Sequence, residues 1–340
     1  MTRRFNSDHV EECRRIIREG SKSFYFASLM LPSQVRMAAT ALYAFCRVSD
    51  DVADERGATR ASVERLIERL DRAYAGNPFN HAADKAFSEV VSHFSIPYEI
   101  PRALIEGFEW DINGKQYDSL SDVVAYSARV AGTVGVMMSI IMGRRGPATL
   151  ARACDLGISM QLVNISRDVG EDARNGRVYL PSDWLQESGV DPETLASDPK
   201  YTPELGVVIK RLLVAADGFY RSGMGGISDL PASCRPGIRA AGMVYAEIGE
   251  KVRENGYNSI DSRAFTTRGR KLGLMLKSAG DPFEADWTEE TTIHPEVQFL
   301  VDAAAKEVDE PFGDWEWVIH LFSEMDRRDR AYLQSVRTGV

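Results

Sequence analysis

At 340 residues, 44% hydrophobic and 27% charged, the chain has the composition of a soluble globular protein long enough for a sizeable core, and not of a disordered or fibrous one. A formal net charge of −9 argues against nucleic acid as the main partner, because binding a phosphate backbone demands dense Lys and Arg. Four widely separated cysteines without a C-x-x-C pair suggest neither a zinc site nor a disulfide framework and point to the cytoplasm, and five scattered histidines lack metalloprotease spacing.

The N-terminus carries Arg3, Arg4, Asp8, Glu11 and Glu12 with no apolar run behind them, which is not a signal peptide. Periodicity is helical nearly throughout, so the expected fold is all-α. A first helix is expected from Ser7 to Glu19, followed by a break at Gly20-Ser-Lys-Ser-Phe24. Ser21 and Ser23 there could cap a helix or give hydrogen bonds to a phosphate. Pro32 and Ser33 open a helix running to about Asp54. On it Tyr43, Arg47, Asp50 and Asp54 step by 4, 3 and 4 residues and share one stripe.

Helices are expected next at about 61–75, 82–94, 97–112 and 120–142. The apolar run Val130 to Met142 in the last of these is shorter than the ~20 residues that span a bilayer and reads as a buried helix. Gly132 and Gly135 each cost a helix about 1 kcal/mol relative to alanine. Something should therefore approach closely there, either a long hydrocarbon or a neighbouring helix. Met137, Met138 and Met142 would give a tunnel an adaptable wall, or plain core.

A helix at about 147–172 carries a second stripe, Gln161, Asn164, Asp168 and Asp172, with steps of 3, 4 and 4. Others follow at about 203–224, 232–255 and 263–278, then an acidic linker and a last helix near Trp315 to Val336. Trp315, Trp317, Phe322 and Leu333 of that tail could dock on the body, pair with another subunit or rest on a membrane. Residues 1–280 are expected to form one helical domain, with 281–340 a helical extension docked on it.

The two stripes carry the chemistry. Like charges one turn apart cost a helix roughly 0.2–0.5 kcal/mol per pair, and more when buried, unless cations neutralise them. Oxygen ligands of this kind suit magnesium held by a few carboxylates and completed by phosphate oxygens. Arg47, Arg167, Arg174 and Arg177 flank the stripes, where guanidinium forks could grip a diphosphate or pair with the neighbouring acids. There is no G-x-G-x-x-G after a strand, no P-loop and no G-x-S-x-G elbow.

Several blocks in order, Ser21-Lys-Ser-Phe24, Tyr43-Ala-Phe-Cys-Arg47 with Asp50-Asp-Val-Ala-Asp54, Val130-Ala-Gly-Thr-Val-Gly135, Gln161-Leu-Val-Asn164 and Arg167-Asp-Val-Gly-Glu-Asp-Ala-Arg174 through Pro181, resemble those of the squalene/phytoene synthase family. The resemblance covers about residues 10–278. It implies a single-domain isoprenoid synthase-type helical bundle around a central cavity that binds two prenyl diphosphates. It further implies magnesium, with manganese as a substitute, held by Asp50, Asp54, Asn164, Asp168 and Asp172. Ser21, Ser23, Arg47, Gln161, Arg167, Arg174 and Arg263 would contact diphosphates, while Phe24, Tyr43, Tyr126, Val130, Tyr179 and Tyr245 would line the tunnel or the ionising centre. Asp111 also matches a family position, without an assigned role. The implied reaction joins two geranylgeranyl diphosphates head to head into phytoene, without NADPH; the alternatives are squalene or dehydrosqualene from two farnesyl diphosphates, or a prenyl-binding protein that kept the fold. Tyr126-Ser-Ala-Arg129 departs from the Tyr-Cys-Tyr-Arg common in relatives, and the tail past about 280 matches nothing in the pattern. An apolar product implies peripheral contact with the inner face of a membrane.

Overall fold

Apolar residues recurring every three or four positions fold into helices, and no strand occurs among the described residues. The computed structural model describes residues 7–54, 58–280 and 292–305. The tail helix expected near Trp315 lies outside these, as does the side chain of Asp54.

The central element is α9, Pro147–Arg174, entered through a proline in its first turn. Its buried residues Leu150, Cys154, Ile158, Leu162, Ile165 and Val169 step by three or four and pack on one side. Around it stand the helices α8 (Thr133–Ile141), α12 (Pro203–Gly225), α13 (Arg235–Glu254) and α15 (Pro295–Ala305). The other wall is built from α1 (Ser7–Gly20), α2 (Lys22–Ser28), α3 (Ser33–Asp54), α4 (Arg60–Tyr74), α5 (Ala82–His93) and α6 (Glu99–Ile112). Short helices α10 (Ser182–Glu187) and α11 (Pro192–Ser197) follow α9, and α14 (Arg268–Gly280) lies against α13.

Three outcomes differ from the sequence reading. The expected break after Gly20 is a single residue, because the Ser21 hydroxyl accepts a hydrogen bond from Phe24 N (3.2 Å) and caps α2 at once. The expected helix at 120–142 is three pieces: α7 (Leu120–Ser127), a π-helical turn at Ala128–Gly132, and α8. The last helix before the linker begins at Arg268, leaving Arg263 on an irregular segment. In addition, α15 packs on α6, α7, α8 and α9, so part of the chain past residue 280 belongs to the body. The run Leu120–Ile141 is long and apolar enough by composition to cross a bilayer, but most of it is buried inside the protein.

Of the two glycines expected to admit a close neighbour, Gly135 does and Gly132 does not, since a Cβ on Gly132 would meet nothing nearer than 3.7 Å. A Cβ on Gly135 would overlap the carbonyl of Ala153, and one on Gly157 would stand 2.5 Å from the oxygen of Ala131. What approaches Gly135 is therefore the backbone of α9. The same device works at the far end of α9, where Gly170 N donates to Ser259 O (3.0 Å) and a Cβ would lie 2.8 Å from Ile260 Cα. That contact pins the segment after α13 onto α9, four residues before Arg263.

Candidate active site

Between the two walls lies a cavity of about 1500 Å³. Every predicted site residue whose side chain is described lines it: Ser21, Ser23 and Phe24 from α2 and its cap, Tyr43, Arg47 and Asp50 from α3, and Tyr126 and Val130 from α7 and the π turn. From the other side come Gln161, Asn164, Arg167, Asp168, Asp172 and Arg174 of α9, with Tyr179, Tyr245 and Arg263. The two acidic stripes therefore face one chamber. The 3.6-residue period places Gln161, Asn164, Asp168 and Asp172 on a single face of α9, and buried residues cover the rest of the helix.

The α9 stripe is a dense ionic cluster. Asp168 receives two forks: Arg167 from Nε (2.8 Å) and Nη2, and Arg263 from Nε (2.7 Å) and Nη2 (3.1 Å). Burial alone would raise its pKa, but the hydrogen bonds from Arg167 and Arg263 outweigh it and hold Asp168 below the usual carboxylate value. One turn on, Asp172 lacks such forks. Burial, followed by the charges of Asp168 and Glu171, pushes it up to about 8 despite Arg177. The Asn164 Nδ2 donates to Gln161 Oε1 (3.3 Å), while Asn164 Oδ1 is buried without a hydrogen-bond partner among the described residues.

Across the chamber, Arg47 pairs with Asp50 (3.1 Å) and Asp51. No three Asp, Glu, His or Cys side chains among the described residues converge as a ready metal site. Lys271 of α14 also enters the cavity, donating from Nζ to Ser23 Oγ (2.8 Å). Sequence reading missed it: its partner lies 248 residues away, and no local spacing marks it.

Deeper in, the walls are aromatic and aliphatic. The Phe24 ring lies 5.5 Å from that of Tyr245 and 6.1 Å from that of Tyr43. Burial raises the Tyr245 phenol, with Arg167 partly offsetting, so it stays neutral near pH 7. Asp111 acquires a role: it accepts hydrogen bonds from Tyr126 and Tyr179, each 2.8 Å, and fixes two rings stacked 5.1 Å apart. The π turn carries Val130 to the cavity, where its Cγ1 would stand 2.6 Å from a Cβ on Gly107. Ser28, buried at the end of α2, lines the cavity with Ala27 and Leu31, and its hydroxyl donates to Tyr25 O (2.7 Å).

Such a chamber has a charged part fit for polyanions and an apolar part fit for hydrocarbon. Comparison with known proteins agrees. Residues 17–270 match the family described as Squalene/phytoene synthase. A phytoene synthase of Rhodobacter capsulatus is 51% identical over 304 residues, 87% of this chain and 90% of that protein. One of Cereibacter sphaeroides is 46% identical over 95% of each chain, so the alignment runs well past residue 280, where the motifs had found no counterpart. Among solved structures, a dehydrosqualene synthase in complex with ligand superposes with a TM-score of 0.74 at 29% identity, covering 80% of this chain and 95% of that one. A squalene synthase from Alicyclobacillus acidocaldarius gives 0.67 at 26% identity, covering 74% and 95%.

Proposed function

This chain belongs to the squalene/phytoene synthase family, and from that premise we propose how its cavity condenses two geranylgeranyl diphosphates head to head into phytoene, a step of carotenoid biosynthesis. The reaction passes through a cyclopropylcarbinyl diphosphate and releases two diphosphates. Relatives at 46–51% identity that span most of the chain carry the name phytoene synthase, which favours this over the C30 alternatives. The observation that carries the site assignment is the single chamber of about 1500 Å³ with both stripes at its mouth. Its volume exceeds the roughly 300–1,000 Å³ typical of sites for one small ligand, as two long chains require.

Arg47, Arg167, Arg174 and Arg263 are the diphosphate grips, with Ser21, Ser23, Gln161 and Lys271 adding hydrogen bonds. In the structure Arg167 and Arg263 are both turned onto Asp168. A phosphate arriving between them would take over part of each fork, trading a carboxylate for a more highly charged acceptor. That competition favours release of Asp168 toward a cation. Asp50, Asp54, Asn164, Asp168 and Asp172 would hold magnesium, or manganese in its place. Two features support the fit: the buried, unpartnered Asn164 Oδ1, and Asp172, whose buried carboxylate is short of positive charge. When bound, the ion supplies Lewis-acid neutralisation of the departing diphosphate.

The remaining work falls to the walls. Phe24, Tyr43 and Tyr245 present ring faces at the mouth of the apolar depth, where a carbocation is stabilised without being quenched by water. Tyr126 and Tyr179, tethered by Asp111, keep the opposite wall rigid. A neutral Tyr245 serves as a hydrogen-bond donor to a leaving diphosphate. Each half-reaction expels one diphosphate and one proton, and the released diphosphate, a stronger base than the neutral phenol, is assigned the proton in both. Phytoene, an apolar C40 hydrocarbon, is then delivered at a membrane face.

The test is product analysis. Purified protein incubated with geranylgeranyl diphosphate and magnesium, without NADPH, should yield phytoene in the lipid extract and two diphosphates per product. C30 product from farnesyl diphosphate at equal or higher rate would favour the squalene-type reading, and no product from either would favour a binding role.

A further inference from the structure

Seven large hydrophobic side chains are strongly exposed among the described residues, and three of them fall within one twelve-residue stretch: Phe265 (74%), Leu272 (57%) and Leu276 (69%). Leu272 and Leu276 are one turn apart on α14 and share its outer face, opposite the buried Leu274 and Ser278 that meet the body. From Ser262 to Gly280 the sequence carries five cations, Arg263, Arg268, Arg270, Lys271 and Lys277, and no carboxylate, in a chain of net charge −9. Arg263 is paired with Asp168 and Glu171, Arg270 with Glu247 (2.9 Å), and Lys271 donates to Ser23, but Arg268 and Lys277, both exposed, make no ion pair among the described residues. Phe265 and Lys271 also line the cavity, so this face borders its opening.

We propose that the outer face of α14 with Phe265 is the surface by which the protein docks on an anionic lipid bilayer, bringing the mouth of the cavity to the membrane. Apolar side chains flanked by unpaired cations are what an interfacial helix needs: leucines enter the acyl boundary while Arg and Lys meet lipid phosphates. A second copy of this chain is the poorer occupant, because a two-fold contact would set this basic face against itself. The purpose of docking rests on the reading of the product as a hydrocarbon. Lipid binding itself is measured without turnover.

The experiment is flotation of the full-length protein with vesicles of phosphatidylcholine alone or mixed with phosphatidylglycerol. Wild type should float with the anionic vesicles, lose most of that binding at about 1 M salt, where the screening length falls to ~3 Å, and bind neutral vesicles weakly. The double variant Leu272→Ser/Leu276→Ser, exposed in both positions and so expected to melt like wild type, should partition about tenfold less. Lys277→Glu should act in the same direction. With detergent-dispersed substrate the double variant should keep wild-type turnover, so a failure of the proposed reaction would show there and a failure of the docking surface in flotation. Equal flotation of wild type and double variant, no flotation of wild type at all, or a concentration-dependent dimer abolished by the double variant would each overturn the proposal.

Discussion

At the scale of single residues, the site depends on how neighbouring carboxylates are treated differently by their surroundings. Asp168 is held ionised by two guanidinium forks, whereas Asp172, one turn away, is raised to about 8 by burial and by the charges beside it. Asp168→Ala should therefore lower kcat by roughly a hundredfold or more, the size of effect seen when a group stabilising transition-state charge is lost, and should lower the melting temperature because the buried Arg167 guanidinium loses its carboxylate. Wild-type turnover in a folded Asp168→Ala protein would exclude this residue from the chemistry. We propose that chain length is set elsewhere. Ser28 lines the cavity one turn beyond Phe24, where a small side chain leaves depth. Ser28→Phe should shift the product from C40 toward C30 when geranylgeranyl and farnesyl diphosphates compete, as read by chromatography of the extract; an unchanged product ratio would place the end of the tunnel elsewhere. Both stripes could be read from spacing alone, because helical periodicity puts their members on one face. Lys271 and the tethering role of Asp111 could not, since each depends on partners brought together only by the fold, Ser23 for one and the tyrosines Tyr126 and Tyr179 for the other.

At the scale of elements, the long helices were legible because their apolar residues recur with a period that only a helix satisfies, and because Pro32, Pro147 and Gly143 punctuate them. The π turn at Ala128–Gly132 was not, since its residues fit an ordinary helix. The open choice for Gly135, hydrocarbon or helix, resolves as a helix contact. Gly135→Ala would set a methyl against the Ala153 carbonyl, and overpacking of this kind costs about 1–3 kcal/mol. Calorimetry should show a melting temperature several degrees lower; no change would mean that α8 and α9 can part at little cost. The other side of α9 carries Asp155, buried, hydrogen-bonded by Ser222 and raised by burial to about 6. Because its folded pKa lies above the ordinary 3.8, the folded state holds a proton that the unfolded chain gives up. That contribution is complete below about 4 and is lost as the pH rises through about 6. Relative to wild type, Asp155→Asn should be increasingly the more stable protein between pH 4 and 7 in denaturant titrations, and a constant difference across that range would refute the assignment.

At the scale of the whole molecule, two helices that make few direct contacts with each other face a common chamber, and its polar mouth and apolar depth separate charge neutralisation from carbocation handling. On the proposed reading the arginine grips work beside carboxylates that would hold the ion, and both work next to the apolar walls. The most direct measurement of that convergence is calorimetric binding of inorganic diphosphate with and without magnesium to the wild type, Asp50→Asn and Asp172→Asn proteins. Magnesium should tighten diphosphate binding in the wild type, and each substitution, though made on a different helix, should abolish most of that gain in a protein that stays folded, with Asp172→Asn melting no lower than wild type because its buried carboxyl is raised to about 8. Magnesium-dependent binding that persists undiminished in either variant would contradict a shared ion site between α3 and α9.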